Sequence, residues 1–130
     1  MSSQEFINHL RLLLNHYGVL KHLECDGLTH VIHKVLSDKN IEHTIYIGRV
    51  IYSFNDEQIP IHYWIDTDDL RIDYRVKMWL GDMPDIPHGV FYPTDHPNVS
   101  YEGSTIQLTL LPHIIIQELI NPYPVINDYV

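Results

Sequence analysis

The chain has 130 residues and a single cysteine, Cys25. One cysteine cannot form a disulfide within the chain, so nothing in the sequence indicates an oxidising compartment. No stretch approaches the roughly 18 apolar residues that a membrane-spanning helix needs. Residues 1–5 also lack the basic segment and the apolar run of a signal peptide. These absences predict a cytoplasmic protein that does not enter a membrane.

Positive charge is also scarce in this sequence. Eight Lys and Arg residues face 17 Asp and Glu residues, which gives a formal charge of −9 with neutral histidines. Nucleic acids and anionic membranes bind basic surfaces, so we expect neither as a partner, and the charge favours a neutral or cationic substrate. A composition of 45% apolar and 19% charged residues is typical of a globular protein. We therefore expect one domain over residues 1–130, with the oligomeric state left open.

Two helices are predicted at the start of the chain. Ser2 and Glu5 have the spacing of a capping box, and apolar residues then recur at intervals of three and four up to residue 18. A second helix is predicted from Cys25 to about residue 39. Leu28 belongs to its apolar inner face, and Cys25 lies one turn before Leu28, so Cys25 is expected on the same face. Unpaired amides and the helix dipole favour a thiolate at such a position.

The rest of the chain predicts mainly strands. Residues 44–54, 59–66, 70–78 and 104–111 are strand-like, and residues 112–120 read as a closing helix. The second and third of these strands are predicted to form a hairpin, whereas the chain beyond residue 81 is rich in loop-forming residues. The expected fold class is α+β, with the N-terminal helices packed on a small antiparallel β-sheet.

The hairpin gives a specific pairing. If its loop holds residues 67–68, or residues 66–69, then His62 lies directly opposite Asp73. Directly opposed residues share a face and have Cβ atoms about 4.5–5.5 Å apart. The carboxylate could then accept a hydrogen bond from one imidazole nitrogen and leave the other nitrogen to face Cys25. A nucleophile, a base and an orienting acid are the parts of a cysteine-dependent active site.

Other interpretations of these residues stay open. Asp66 shares the face of His62 but lies about 13 Å along the strand, so Asp73 is the preferred acid. Arg71 and Arg75 flank Asp73 and could hold its carboxylate in a row of surface ion pairs. A lone cysteine is also often a small buried apolar residue.

A metal site is not expected. His30 and His33 are three residues apart on the second helix, but no HExxH or CxxC pattern accompanies them. No glycine-rich phosphate loop is present either. The sequence therefore predicts a protein without a metal or cofactor.

The order of motifs resembles the transglutaminase-like branch of the papain-fold cysteine enzymes. The resemblance rests on Cys25 opening a helix, on residues 62–64 (His-Tyr-Trp) in one strand and on residues 72–74 (Ile-Asp-Tyr) in the next. It implies a papain-like core in which Cys25, His62 and Asp73 form the catalytic triad of an acyl-transfer enzyme. The chain departs from the family at two places. Tyr74 follows Asp73, where proline is common, and the small residues and the tryptophan that often surround the cysteine are missing around Cys25.

The predicted function is therefore acyl transfer through a cysteine, by an amide or peptide hydrolase or by a transglutaminase-like transferase. The expected substrate is a peptide or protein amide, with Trp64 in the cleft wall and Asp26 as a second substrate-binding residue. The alternative is a catalytically inactive domain of the same fold that binds a protein partner. Glu24 and Asp26 are relevant to this alternative because their negative charge beside the thiol disfavours a thiolate.

Overall fold

The computed structural model describes residues 2–122, so the last eight residues of the predicted domain lie outside the described residues. Helix α1 spans Ser3–Gly18 and begins with the predicted capping box. The backbone N–H of Glu5 donates to Ser2 Oγ at 3.1 Å, and the backbone N–H of Ser2 donates to Glu5 Oε1 at 3.4 Å. Helix α2 spans Cys25–Asp38. Both predicted helices are confirmed.

A five-stranded antiparallel sheet forms the second layer of the fold. Its spatial order is β4-β3-β2-β1-β5, and every neighbouring pair is antiparallel. The predicted α+β class with an antiparallel sheet is confirmed. The strands are β1 (Thr44–Tyr52), β2 (Glu57–Thr67), β3 (Leu70–Asp73), β4 (Gly89–Phe91) and β5 (Val99–Ile106).

Two predicted strands have wrong bounds. The strand predicted over 70–78 ends at Asp73, where the chain turns into a short helix, α3, over Val76–Leu80. The turn forms because the carboxylate of Asp73 accepts the backbone N–H groups of Arg75 and Val76. The strand predicted over 104–111 corresponds to β5, which begins earlier, at Val99, and ends at Ile106, the last residue that pairs with β1. The closing helix, α4, spans His113–Ile120 as predicted.

Apolar side chains fill both faces of the sheet. Helices α1 and α2 cover one face, where Leu14 and Val31 pack with Ile65 of β2. Helix α3 covers part of the other face, where Val76 and Leu80 belong to one cluster with Trp64. His62 is two residues from Trp64 along β2, and alternate residues of a strand share a face. Among residues 2–122, no helix combines the length and the apolar character needed to cross a bilayer.

Candidate active site

Cys25 is the first residue of α2 and is half-buried. Glu24 precedes it in an extended conformation and makes no side-chain cap, so the start of the helix is open. The thiol lies where two cavities meet. One is a small internal void, and the other is an outward groove of about 350 Å³. A cysteine in this place is reachable from solvent and backed by the protein interior.

His62 and Asp73 form a buried pair. His62 Nε2 donates to Asp73 Oδ2 at 2.8 Å, and His62 is 0% exposed. Nε2 carries a proton because its partner is a carboxylate oxygen, which can only accept unless it is itself protonated. The structure therefore brings together the imidazole and the acid that the sequence predicted.

The predicted strand register is wrong by two residues, although the pair is made. The turn consists of residues 68–69, because Thr67 pairs with Leu70 and Ile65 pairs with Ile72. Continued by one step, this register places Trp64 opposite Asp73, so the histidine contacts the carboxylate along a diagonal. A shift of two residues keeps both side chains on the same face, whereas a shift of one would have separated them.

Asp73 has hydrogen-bond donors on both oxygens. Tyr101 of β5 donates its hydroxyl to Oδ2 at 2.9 Å, beside the bond from His62. The backbone N–H groups of Arg75 and Val76 donate to Oδ1 at 2.9 and 3.1 Å. Burial and the charge of Asp73 raise the pKa of Tyr101, which keeps its hydroxyl proton in place. These hydrogen bonds to both oxygens fix the orientation of the Asp73 carboxylate.

The competing interpretations of the acid do not match the structure. Asp66 pairs with Arg71 through two bonds, of 2.8 and 2.9 Å, and not with His62. The guanidinium of Arg71 also lies 4.6 Å from the centre of the Tyr101 ring. The guanidinium of Arg75 donates to backbone carbonyls instead of to Asp73. The carboxylate of Asp73 therefore stays available to His62.

The electrostatics of this pair favour an imidazolium. Burial by itself lowers the pKa of His62, but the charge and hydrogen bond of Asp73, with a smaller contribution from Cys25, outweigh burial and raise that pKa to about 10. His62 therefore carries two ring protons at neutral pH.

The second ring nitrogen of His62 has no hydrogen-bond partner among the described residues. Nδ1 is buried and makes no hydrogen bond of normal geometry with the described residues. Cys25 is nevertheless close enough to raise the pKa of this ring. Buried polar atoms are seldom left without a partner, and those at active sites often reach normal geometry only when substrate is bound. His62 therefore combines an unpartnered ring nitrogen with a thiol in its neighbourhood.

Arg75 fixes the start of α2 against the end of β3. It is 4% exposed, and its guanidinium donates to the carbonyls of Gly18, Leu20 and Leu23 at 2.7–2.8 Å. Gly18 is the last residue of α1, and Leu20 and Leu23 belong to the connector that leads to Cys25. Arg75 thus joins the segment before Cys25 to the chain just after Asp73.

The two predicted substrate-binding residues have different positions. Asp26 is exposed and lines the groove beside Cys25. Trp64 is 2% exposed and packs between the rings of Tyr46 and Tyr101, so it cannot contact a substrate in the groove. The aromatic wall comes instead from Trp79 of α3.

A larger open groove, of about 750 Å³, lies near the other end of α2. His33 and His43 line it and share a hydrogen bond of 2.7 Å between their rings. Cys25 does not line this groove but does line the smaller one, so the smaller groove is the candidate site. Within residues 2–122, no three His, Cys, Asp or Glu side chains are grouped to hold a metal ion.

Comparisons with known proteins neither support nor exclude the resemblance. No family model, curated protein or solved structure matches the chain. The chemistry of the site therefore rests on its own geometry.

Sequence reasoning did not predict the roles of three residues near the site. Tyr101 and Arg75 reach it from β5 and from the end of β3, and Trp79 reaches the groove from α3. No local pattern marks Tyr101, because its contact with Asp73 depends on the position of β5 in the sheet. Arg75 had a signal, since it flanks Asp73 within the predicted strand, but its partners are backbone carbonyls more than 50 residues away in the chain.

Proposed function

We propose that this protein is a cysteine-dependent acyl-transfer enzyme that acts on peptide or protein amides through Cys25, His62 and Asp73. The observation that carries the proposal is the buried His62–Asp73 pair, whose second ring nitrogen has no partner among the described residues. Cys25 at the start of α2 is close enough to raise the pKa of His62. A papain-like or transglutaminase-like core with this triad is part of the same proposal.

The first half-reaction forms a thioester. The Cys25 thiolate attacks the carbonyl carbon of the amide, and a carbon–sulfur bond forms while the carbonyl oxygen becomes negative. The first backbone N–H groups of a helix have no partner within it, so the amide of Cys25 is a donor for this oxyanion. His62 then gives its Nδ1 proton to the leaving nitrogen as the carbon–nitrogen bond breaks.

The second half-reaction returns the site to its starting state. Neutral His62 takes a proton from the acceptor, which is water in a hydrolase and an amine in a transferase. The acceptor attacks the thioester carbon, the carbon–sulfur bond breaks, and Cys25 leaves as a thiolate beside the imidazolium. Asp73 stays ionised throughout and stabilises the charge on His62, while Tyr101 holds the carboxylate in place.

Alkylation of Cys25 tests this proposal directly, because the chain has no other cysteine. Iodoacetamide should label the native protein at pH 6 at least about tenfold faster than it labels the His62→Gln variant, a factor equivalent to about 1.4 kcal/mol. The exposed His9 provides the matched control, and His9→Gln should label like the wild type.

The competing function is an inactive domain that binds a protein partner, which the exposed Glu24 and Asp26 beside the thiol favour. It predicts slow labelling at pH 6, rising only near the pH where ordinary thiols ionise, and no effect of His62→Gln. That result would reject the enzyme.

A further inference from the structure

The groove beside Cys25 has an apolar and aromatic wall. Ile59, Pro60 and Ile61 of β2 line it together with Tyr63, and Trp79 closes it from α3. Ile61 is 69% exposed and Trp79 is 57% exposed, although both are large apolar side chains. Exposed apolar surface that is continuous with a cavity marks a binding surface more often than scattered apolar residues do.

The rim of the groove is acidic. Glu24 and Asp26 stand on either side of Cys25 in the sequence, and both are exposed and line the groove. One oxygen of Asp26 accepts the backbone N–H of Gly27 at 2.8 Å. Among the ion pairs formed within residues 2–122, none includes Glu24 or Asp26. Two carboxylates without a cationic partner therefore face the space in which a substrate lies.

The size of the groove limits its occupant. A volume of about 350 Å³ is near the lower end for ligand sites, which run from about 300 to 1,000 Å³. A groove of this volume can hold one long side chain and the short stretch of backbone that carries it. An apolar wall below an acidic rim matches a side chain with a hydrocarbon stem and a cationic end, because such a stem packs on apolar surface while its charge stays near water.

We propose that the groove binds an arginine or lysine side chain of the substrate, next to the amide that Cys25 attacks. The stem lies on Pro60 and Ile61, and the cation lies between the Trp79 ring and the carboxylates of Glu24 and Asp26. Cations are attracted to the faces of tryptophan rings, and carboxylates accept their N–H groups. This substrate class rests on the proposed function, since it places the basic residue beside the reacting carbonyl.

Binding can be measured without catalysis in the Cys25→Ala variant. The probes are three fluorescein-labelled hexapeptides that differ at one position, which holds arginine, leucine or glutamate, and the readout is fluorescence polarisation. The arginine peptide should bind about tenfold more tightly than the leucine peptide, which corresponds to about 1.4 kcal/mol. The glutamate peptide should bind most weakly. Equal affinities, a preference for leucine, or no binding of any peptide would overturn the proposal.

Charge-neutral variants locate the preference in the groove. In the Cys25→Ala background, Glu24→Gln with Asp26→Asn should reduce the preference for arginine over leucine to about threefold or less, while leucine binding stays the same. Glu102→Gln with Asp95→Asn removes two exposed carboxylates elsewhere and should leave the preference unchanged. Trp79→Leu should weaken arginine binding more than leucine binding. A preference that survives all these changes would place the basic side chain somewhere else.

The iodoacetamide experiment separates the two proposals. Fast labelling of Cys25 that depends on His62, together with no preference among the peptides, would keep the enzyme and reject the basic substrate. Slow labelling that is independent of His62, together with a tenfold preference for arginine, would reject the enzyme and keep the groove as a binding site for basic side chains.

Discussion

The carboxylate of Asp73 accepts a hydrogen bond from His62 at 2.8 Å and also organises the start of α3. Its Oδ2 atom is directed to the imidazole, while its Oδ1 atom accepts the backbone N–H groups of Arg75 and Val76. Helix α3 carries Trp79, which lines the groove. One side chain therefore sets the position of the His62 imidazole and of a groove wall at the same time.

These two roles can be separated by Asp73→Asn. Asparagine keeps an oxygen that accepts backbone N–H groups, so the turn into α3 should survive, but the negative charge beside His62 is lost. The pKa of His62 should then fall well below about 10, and iodoacetamide labelling at pH 6 should slow by about tenfold or more.

Asp73→Ala is the matched variant, because it removes the oxygens as well as the charge. It should additionally weaken binding of the arginine peptide, since the start of α3 is lost, whereas Asp73→Asn should preserve that binding. NMR titration of the imidazole and fluorescence polarisation give the two readouts. An unchanged pKa of His62 in both variants would contradict the role assigned to the carboxylate.

Stability should depend on pH through His62. Its pKa is about 10 in the folded protein and about 6.5 when unfolded, so the folded state holds the proton more tightly. The contribution of the pair is complete below pH 6.5 and is lost as the pH rises toward 10. His62→Gln should therefore lower the free energy of unfolding strongly at pH 6 and much less at pH 10, as measured with urea.

The comparison is made with His9→Gln, which should follow the wild type at every pH because His9 is exposed. The informative quantity is the difference between each variant and the wild type, since other groups titrate in the same range. A difference that grows from pH 6 to pH 10 would have the wrong sign for a pKa raised by Asp73.

Tyr101→Phe removes one hydrogen bond from Asp73 and leaves the ring. A hydrogen bond to a charged group contributes about 1.5–3 kcal/mol, so the variant should lose about that much stability. The carboxylate then interacts more strongly with His62, and the pKa of His62 should rise. Tyr46→Phe is the control, because Tyr46 stacks on Trp64 and makes no contact with Asp73 through its hydroxyl. A fall in the pKa of His62 in Tyr101→Phe would contradict this arrangement.

Arg75→Lys keeps a positive charge but cannot reach all the carbonyls that Arg75 joins. At least two buried carbonyls should lose their donor, at a cost of about 2–4 kcal/mol in the free energy of unfolding. Arg49→Lys is the control at an exposed pair with Glu102, where the cost should be below about 1 kcal/mol. Equal costs at both positions would show that Arg75 contributes only its charge.

Local pattern was enough to predict the elements that carry Cys25, His62 and Asp73. The start of α1 follows from its capping box, and the start of α2 at Cys25 follows from the apolar spacing that continues from Leu28. Both are properties of short segments. His62 and Asp73 share a face because side chains alternate between the two faces of a strand. The predicted register was wrong by two residues, and a shift of two residues does not change the face. The side chains that support the triad depend on longer-range structure.

The end of β3 illustrates what the sequence could not provide. Residues 74–78 look like strand, yet two hydrogen bonds to the Asp73 side chain turn the chain into α3. Trp79 then faces the groove, and the buried Trp64 does not. The place of Tyr101 likewise depends on β5 pairing with β1 at the edge of the sheet, which no local spacing reveals.

The contacts of Arg75 have a consequence for how the site meets its substrate. One buried guanidinium donates to the carbonyl of Gly18 at the end of α1 and to those of Leu20 and Leu23 in the connector. The connector is therefore ordered when the chain folds and not when a substrate arrives. The conformational entropy of these residues is lost once, during folding, and no part of the binding energy is needed to order them. Backbone amides of the connector should accordingly exchange with deuterium at the same rate with and without a bound peptide.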